Sequence, residues 1–150
     1  MGRQWNAEPE ENTASPLGIT TDVLEQLKDS AKQAATRAYA PYSRLSVGAA
    51  VLTESGEVFM GCNVENASYG LAICAERAAI FAAVGALGPN MRLRAVAVFS
   101  NGKAGASPCG ACRQVICEFG HDVVVAYFVS QGWEVTTSGQ LLPQSFIMKA

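Results

Sequence analysis

Two cysteine segments decide the fold and the chemistry of this chain: Cys74-Ala75-Glu76-Arg77 and Pro108-Cys109-Gly110-Ala111-Cys112-Arg113-Gln114, with Cys109 standing 35 residues after Cys74. They supply three thiols that can bind a metal, and a carboxylate stands two residues after the first thiol. A catalytic zinc has three protein ligands and an open fourth position, whereas a structural zinc site is closed by four. Three thiols therefore predict a catalytic zinc site with Cys74, Cys109 and Cys112 as ligands.

Each cysteine segment is predicted to begin a helix. An alanine-rich helix runs from about Cys74 to Leu87 and ends at Gly88-Pro89, and a second helix covers about residues 109–119. Helix N-termini carry a partial positive charge that lowers the pKa of thiols. Two helix starts brought together from neighbouring strands could therefore place the three sulfurs around one ion.

The rest of the chain alternates between helical and strand patterns. A first helix begins with Asp22 as N-terminal cap and Glu25 as its partner, and Pro41 ends it. Apolar runs at 46–53 and 57–62 predict a hairpin. Further apolar runs predict strands at 93–99, 123–129 and 133–136. This alternation is typical of an α/β fold with a mixed sheet covered on both faces.

Composition limits the kind of protein this is. The polar residues 1–18 are predicted to be a disordered tail, which leaves 19–150 as one domain. A hydrophobic content of 49% with 16% charged residues indicates that part of the surface is buried against other subunits. The net charge of −2 and the scattered basic residues argue against a polynucleotide partner.

Cysteine usage and hydropathy bear on the cellular compartment. Five cysteines, no apolar leader and no apolar run near the roughly 18 residues of a membrane span predict a cytoplasmic protein without a membrane partner. A small neutral molecule is then the expected substrate.

Three further stretches, together with the cysteine segments, carry a family resemblance: Pro41–Ala50, Gly61–Gly70 and Leu141–Phe146. With them the chain resembles the small cytidine deaminases, and the two cysteine segments match the all-cysteine form of the zinc nucleobase deaminase signature. The resemblance implies a three-layer αβα sandwich around a five-stranded mixed sheet, one zinc per subunit, and a homotetramer with sites shared between subunits. It also implies hydrolytic deamination of cytidine and 2′-deoxycytidine to uridine and 2′-deoxyuridine, with release of ammonia, in pyrimidine salvage.

The same resemblance implies roles for the residues around the zinc. Glu76 would move protons between the attacking water, ring N3 of the base and the departing amine. Three thiolates on Zn²⁺ leave a net charge of about −1, which Arg77 would offset by hydrogen-bonding the cysteine sulfurs. Asn63 and Glu65 would hold the ribose, chiefly its 3′-hydroxyl.

Four other residues are expected around the nucleoside. By resemblance, Ala67 and Tyr69 would contact the sugar of a neighbouring subunit's substrate, and Phe146 would stack near the pyrimidine unless it only seals the core. Leu45 stands where the family usually has phenylalanine in Pro-Tyr-Ser-x-Phe. The loss of that aromatic ring leaves the preference among cytosine nucleosides open.

Two alternatives stand beside this interpretation. One is a deaminase of a modified cytosine nucleoside, such as a blasticidin-like antibiotic, which the residue at position 45 leaves open. The other is a non-catalytic zinc module that uses Cys62 as a fourth ligand. Free cysteine is among the most buried residue types, so Cys62 and Cys117 are otherwise predicted to be core thiols.

Overall fold

A mixed sheet forms the middle layer of the computed structural model, which describes the backbone of residues 3–4 and residues 18–103 and 105–148 in full. In chain order the elements are β1 (Arg3–Gln4), α1 (Thr21–Ala35), β2 (Val47–Thr53), β3 (Glu57–Cys62), a 3₁₀ turn (Tyr69–Leu71), α2 (Ala75–Leu87), β4 (Leu93–Ser100), α3 (Gly110–Glu118), β5 (Val124–Val129), β6 (Gly132–Thr137) and α4 (Ser138–Leu141). The strand order is β1-β3-β2-β4-β5-β6. Among the strands of the described residues, β4 and β5 are the pair that runs parallel, and the other pairs are antiparallel. Strands β2 to β6 confirm the expected five-stranded mixed sheet, and β1 adds two residues at the β3 edge.

Helices cover both faces of this sheet, as the alternation of side chains along the strands requires. On β4, Val96 and Val98 belong to the core under α2 and α3, whereas Ala95 and Ala97 belong to the core under α1. The connection from β4 through α3 to the parallel strand β5 is the crossover that such a pair needs. The three-layer arrangement is therefore confirmed.

Helix α1 differs from its prediction at both ends. Its N-cap is Thr20, whose hydroxyl accepts the Val23 N–H at 3.4 Å, and not Asp22. It ends at Ala35, well before Pro41. The chain leaves the helix because Tyr39 pairs with the segment after β3, donating its N–H to the Asn63 carbonyl at 3.0 Å. A distant strand end, not the proline, therefore stops α1.

Two other expectations concern the chain outside these elements. The predicted tail of residues 1–18 lies outside the described residues, except for the backbone of Arg3–Gln4 and for Gly18. Within the described part of the chain, no helix has the length and apolar character needed to cross a membrane.

Candidate active site

The three predicted ligands meet at the N-termini of α2 and α3. The Sγ atoms of Cys74, Cys109 and Cys112 all lie within 4.8 Å of one another, and those of Cys74 and Cys109 are 3.9 Å apart. Three sulfurs at the usual zinc–sulfur distance from one tetrahedral ion are separated by about 3.8 Å. The cluster therefore fits Zn²⁺, for which thiolates are favoured ligands.

Both helices begin with a cysteine in the capping position. Cys74 caps α2 and Cys109 caps α3, yet neither side chain makes a capping hydrogen bond. Serine, threonine, aspartate or asparagine would cap these helices better. The sulfurs instead face the shared cluster, where the positive ends of both helices favour thiolates. Cys112 is fully buried and Cys109 is exposed, so the cluster opens to solvent on the Cys109 side.

The electrostatics of the thiols favour one negative charge at Cys74. A hydrogen bond from Cys112, together with Arg77, lowers the pKa of the Cys74 thiol to about 5, against the effect of burial. The pKa of the Cys112 thiol is raised, first by that same hydrogen bond and then by burial. A divalent cation that binds such a cluster displaces the remaining thiol protons.

Arg77 lies beside the cysteine cluster. Its Nη2 atom donates to the Cys74 sulfur at 3.3 Å. Its Nε atom is buried and has no hydrogen-bond partner among the described residues. A guanidinium with a free donor beside sulfur ligands can stabilise further negative charge on those sulfurs by a charge-assisted hydrogen bond.

Glu76 lies in the first turn of α2 and is 4% exposed. Burial raises the pKa of its carboxyl group to about 7, and the charge of Cys74 adds to the rise. A general acid–base catalyst works best when its pKa lies near the operating pH. Glu76 therefore has the burial and the protonation equilibrium of a proton-transfer group.

A short pairing brings the predicted sugar-binding residues next to this cluster. Val64 and Ile73 form an antiparallel bridge, with both N–H···O distances at 3.0 Å. Glu65 therefore lies opposite Ala72, and Asn63 lies opposite Cys74. A cleft of about 250 Å³ opens beside this bridge and is lined by Tyr42, Glu65, Asn66, Tyr69 and Ala72.

The Glu65 carboxylate is held by the loop that follows Pro41. Its Oε2 atom accepts the N–H groups of Tyr42 at 2.9 Å and Ser43 at 3.3 Å, and its Oε1 atom accepts the Ser43 hydroxyl. The Ser43 Oγ atom in turn accepts the Leu45 N–H at 3.0 Å, so its own proton is committed to Glu65. These donors, with the Ser43 hydroxyl first, lower the pKa of Glu65. These contacts favour the ionised form of the Glu65 carboxylate.

The Asn63 side chain is partly used within the chain. Its Oδ1 atom accepts the Val47 N–H and its Nδ2 atom donates to the Leu45 carbonyl, both at 2.8 Å. One N–H of this amide is left for a ligand. Asn63 thus links the Leu45 loop to the end of β3 and keeps one N–H donor outside these two contacts.

The other predicted contacts are placed on the surface. Ala67 is exposed, and Tyr69 is 80% exposed with its ring centroid 6.4 Å from that of Tyr42. Leu45 is 39% exposed, and its Cδ1 atom lies against Gly102. Phe146 is 69% exposed and therefore does not seal the core.

Cys62 lies outside the metal cluster. The group of three cysteines found among the described residues does not include it, and its thiol donates to the Arg37 carbonyl at 3.4 Å. Neither Cys62 nor Cys117 is a fully buried core thiol; both are partly exposed, because each lies at the end of an element and bonds a backbone carbonyl there.

Ser43 is the residue that sequence reasoning missed. Its hydroxyl donates to the Glu65 carboxylate and is the main cause of its lowered pKa, although the two residues are 22 positions apart. The only signal was its place in the stretch Pro41–Ala50, which contributed to the resemblance.

Comparison with known proteins agrees with this geometry. The family model for the cytidine and deoxycytidylate deaminase zinc-binding region matches residues 21–128. A cytidine deaminase from Sporosarcina psychrophila is 42% identical over 126 residues, covering 82% of this chain and 90% of its own. One from Mycobacterium tuberculosis is 43% identical over 120 residues, covering 80% of this chain and 86% of its own.

Solved structures show the same likeness. The crystal structure of cytidine deaminase from Burkholderia pseudomallei superposes with a TM-score of 0.74 at 48% identity, covering 81% of this chain and 98% of that one. The M. tuberculosis structure gives a TM-score of 0.73 at 41% identity, covering 83% and 98%. The matched region contains both cysteine segments, the first of which includes the buried Glu76, and on this evidence the chain belongs to the zinc-binding cytidine deaminase family.

Proposed function

We propose that this protein deaminates cytidine and 2′-deoxycytidine by hydrolysis, forming uridine and 2′-deoxyuridine and releasing ammonia in pyrimidine salvage. The observation that carries the proposal is a three-thiol cluster with a buried carboxylate, Glu76, in the same helical turn as one of its thiols. The relatives reported above are named cytidine deaminases, and this supports the choice of substrate.

The chain's own residues account for each requirement of this reaction. Cys74, Cys109 and Cys112 would hold the metal, and Arg77 would offset the charge of the thiolates. Zinc at this position would supply a Lewis acid that makes a water molecule nucleophilic at neutral pH. Glu76 takes a proton from that water as its oxygen bonds to C4 of the base.

Glu76 then completes the proton transfers. It delivers this proton to ring N3, then takes the second proton from the hydroxyl group now on C4 and delivers it to the exocyclic nitrogen, so that the C4–N bond breaks, the C4 carbonyl forms and neutral ammonia leaves. A single carboxyl group can serve these steps in sequence because each transfer returns it to the state needed for the next.

The sugar is recognised by the residues beside the cleft. Glu65 accepts a hydrogen bond from a ribose hydroxyl, for which the 3′-hydroxyl suits both cytidine and deoxycytidine, and Asn63 donates its free N–H to a sugar oxygen. Leu45 and Phe146 contribute apolar contacts to the base. Replacement of the family's phenylalanine by Leu45 keeps a modified cytosine nucleoside as the alternative substrate.

Exposed apolar side chains beside the cleft support a homotetramer whose subunits share their sites. Tyr69 is 80% exposed and Leu71 is 67% exposed beside the cleft, and burial of such groups favours association. Ala67 and Tyr69 would then contact the sugar in a neighbouring subunit. Size-exclusion chromatography with light scattering would measure the subunit number, and a monomer at micromolar concentration would contradict this part of the proposal.

Free thiols support a reducing compartment such as the cytoplasm. All five cysteines lack disulfide bonds, and three of them must stay reduced to bind a metal.

The test of the function is Glu76→Gln, with Glu118→Gln on the exposed end of α3 as the matched control. The loss of a general acid–base group typically lowers turnover by about 10²–10⁴-fold. We expect Glu76→Gln to lose at least that much cytidine turnover, measured by ultraviolet absorbance, while it keeps its zinc, and we expect the control to retain wild-type activity. Turnover of Glu76→Gln within a few-fold of wild type would show that another group transfers the protons.

A panel of cytosine nucleosides separates the proposal from its alternative. Cytidine and deoxycytidine should have higher kcat/KM values than nucleosides with a modified sugar. A higher kcat/KM for a modified cytosine nucleoside would favour the alternative.

A further inference from the structure

The Gln114 side chain forms two hydrogen bonds with the backbone of Phe146, and this pair is called the tie below. Its Nε2 atom donates to the Phe146 carbonyl at 2.8 Å, and its Oε1 atom accepts the Phe146 N–H at 3.0 Å. The two residues are 32 positions apart. Both ends of the amide are used on one residue, so the tie fixes the backbone of Phe146 in position and in orientation.

This tie is made from the helix that carries two of the thiols. Gln114 lies in α3, about 7.5 Å along the helix axis from Cys109. Its neighbour Arg113 donates from Nε to the Pro108 carbonyl at 2.7 Å and from Nη1 to the Leu141 carbonyl at 3.1 Å. Arg113 therefore holds both the turn that leads into Cys109 and the segment that leads to Phe146.

The held segment presents its side chains outward. Phe146, Ile147 and Met148 are 69%, 67% and 77% exposed. A contiguous run of exposed apolar side chains, unlike a single one, is typical of a ligand-binding or interaction site. The planar face of a pyrimidine is a suitable partner, because aromatic rings stack with an offset.

We propose that Gln114 is a positioning residue that fixes the Phe146 backbone so that the phenyl ring packs against the base of the bound nucleoside. The inference rests on the proposed function. Gln114 binds only backbone atoms of Phe146. The two hydrogen bonds therefore restrict the position of the phenyl ring and leave the ring free to contact substrate.

The experiment compares Gln114→Ala, Phe146→Ala and the double variant, with Gln26→Ala on the exposed face of α1 as the matched control. An aromatic contact of this kind corresponds to roughly a two- to twelve-fold change in affinity. We expect Gln114→Ala to raise KM for cytidine by about that factor with kcat within about twofold, since the contact is equal in ground and transition states. We expect Gln114→Ala to cause no additional rise in KM for cytidine when it is combined with Phe146→Ala.

Hydrogen exchange supplies a readout that does not depend on catalysis. The Phe146 amide should exchange faster in Gln114→Ala than in wild type, because its acceptor has been removed, and at the wild-type rate in Gln26→Ala. Gln114→Glu keeps an acceptor for this N–H but sets a carboxylate oxygen against the Phe146 carbonyl, so its KM should rise at least as much as that of Gln114→Ala.

Two results would overturn the inference while the wild type deaminates cytidine: an unchanged KM in Gln114→Ala, or an equal rise in the Phe146→Ala background. A wild-type protein that does not deaminate cytidine would overturn the proposed function, and the role of Gln114 at the base with it. Faster exchange at Phe146 would then still show the tie, so the two failures are distinguishable.

Discussion

Replacement of Gly61 by alanine would test how α2, and with it Cys74 and Glu76, is seated on the sheet. Gly61 lies in β3 under the first turns of α2. A Cβ atom at this position would lie 2.4 Å from the Ala79 nitrogen and 2.6 Å from the Ala75 oxygen. Both are backbone atoms, so no side-chain rotation can relieve the contact.

The size of the effect follows from these distances. Because favourable contacts between heavy atoms begin near about 3.5 Å, α2 would have to move away from β3 by about 1 Å. Overpacking of this kind typically costs about 1–3 kcal/mol of stability. The same movement displaces the Cys74 sulfur from Cys109, now 3.9 Å away, so zinc affinity should fall together with stability.

The assay is urea unfolding of the zinc-loaded protein at matched concentration, with zinc retention measured by competition with a chelator. The control is Gly85→Ala in the same helix, where a Cβ atom meets nothing within 4 Å. Alanine has a higher helix propensity than glycine by up to about 1 kcal/mol, so this variant should be as stable as wild type or more stable.

One outcome would refute the reasoning. If Gly61→Ala unfolds within about 0.5 kcal/mol of wild type, the range of ordinary surface substitutions, and keeps its zinc affinity, then α2 does not rest on the backbone of β3. The geometry of Cys74 would then depend on other contacts.

The remaining predictions concern the metal, the sugar-binding acid and the base. Cys62→Ser should keep about one zinc per chain, because catalytic sites use three ligands, whereas Cys109→Ser should lose zinc; metal analysis that finds zinc lost from Cys62→Ser would indicate a closed site. Ser43→Ala should raise the pKa of Glu65 towards its ordinary value of 4.5. Because that pKa is lowered in the folded protein, its contribution to stability is present above the unfolded pKa and is lost as pH falls through the folded pKa. In Ser43→Ala the loss should therefore be smaller and should be complete at a higher pH than in wild type, and an identical carbon-13 titration of Glu65 in both proteins would contradict this. Leu45→Phe should lower KM for cytidine by about two- to twelve-fold if residue 45 faces the base, whereas unchanged KM and unchanged thermal stability would show that it does not.

The chemistry of the site and the type of most elements could be predicted from the sequence. Cys74, Cys109, Cys112 and Glu76 stand at fixed spacings near predicted helix starts, and ligand type and spacing are local properties. The strands and helices were also visible locally, because burial on a sheet imposes alternation and burial of a helix face imposes a longer period. The fold class and the family resemblance follow from such patterns.

Contacts between distant segments required the tertiary structure. The end of α1 at Ala35 depends on the pairing of Tyr39 with Asn63, which no local propensity contains. The same holds for the Ser43 hydroxyl on Glu65 and for the tie between Gln114 and Phe146. Sequence alone predicted which groups could bind and react. Only the folded chain decided which backbone atoms hold them, because those contacts join residues that are neighbours in space and not along the chain.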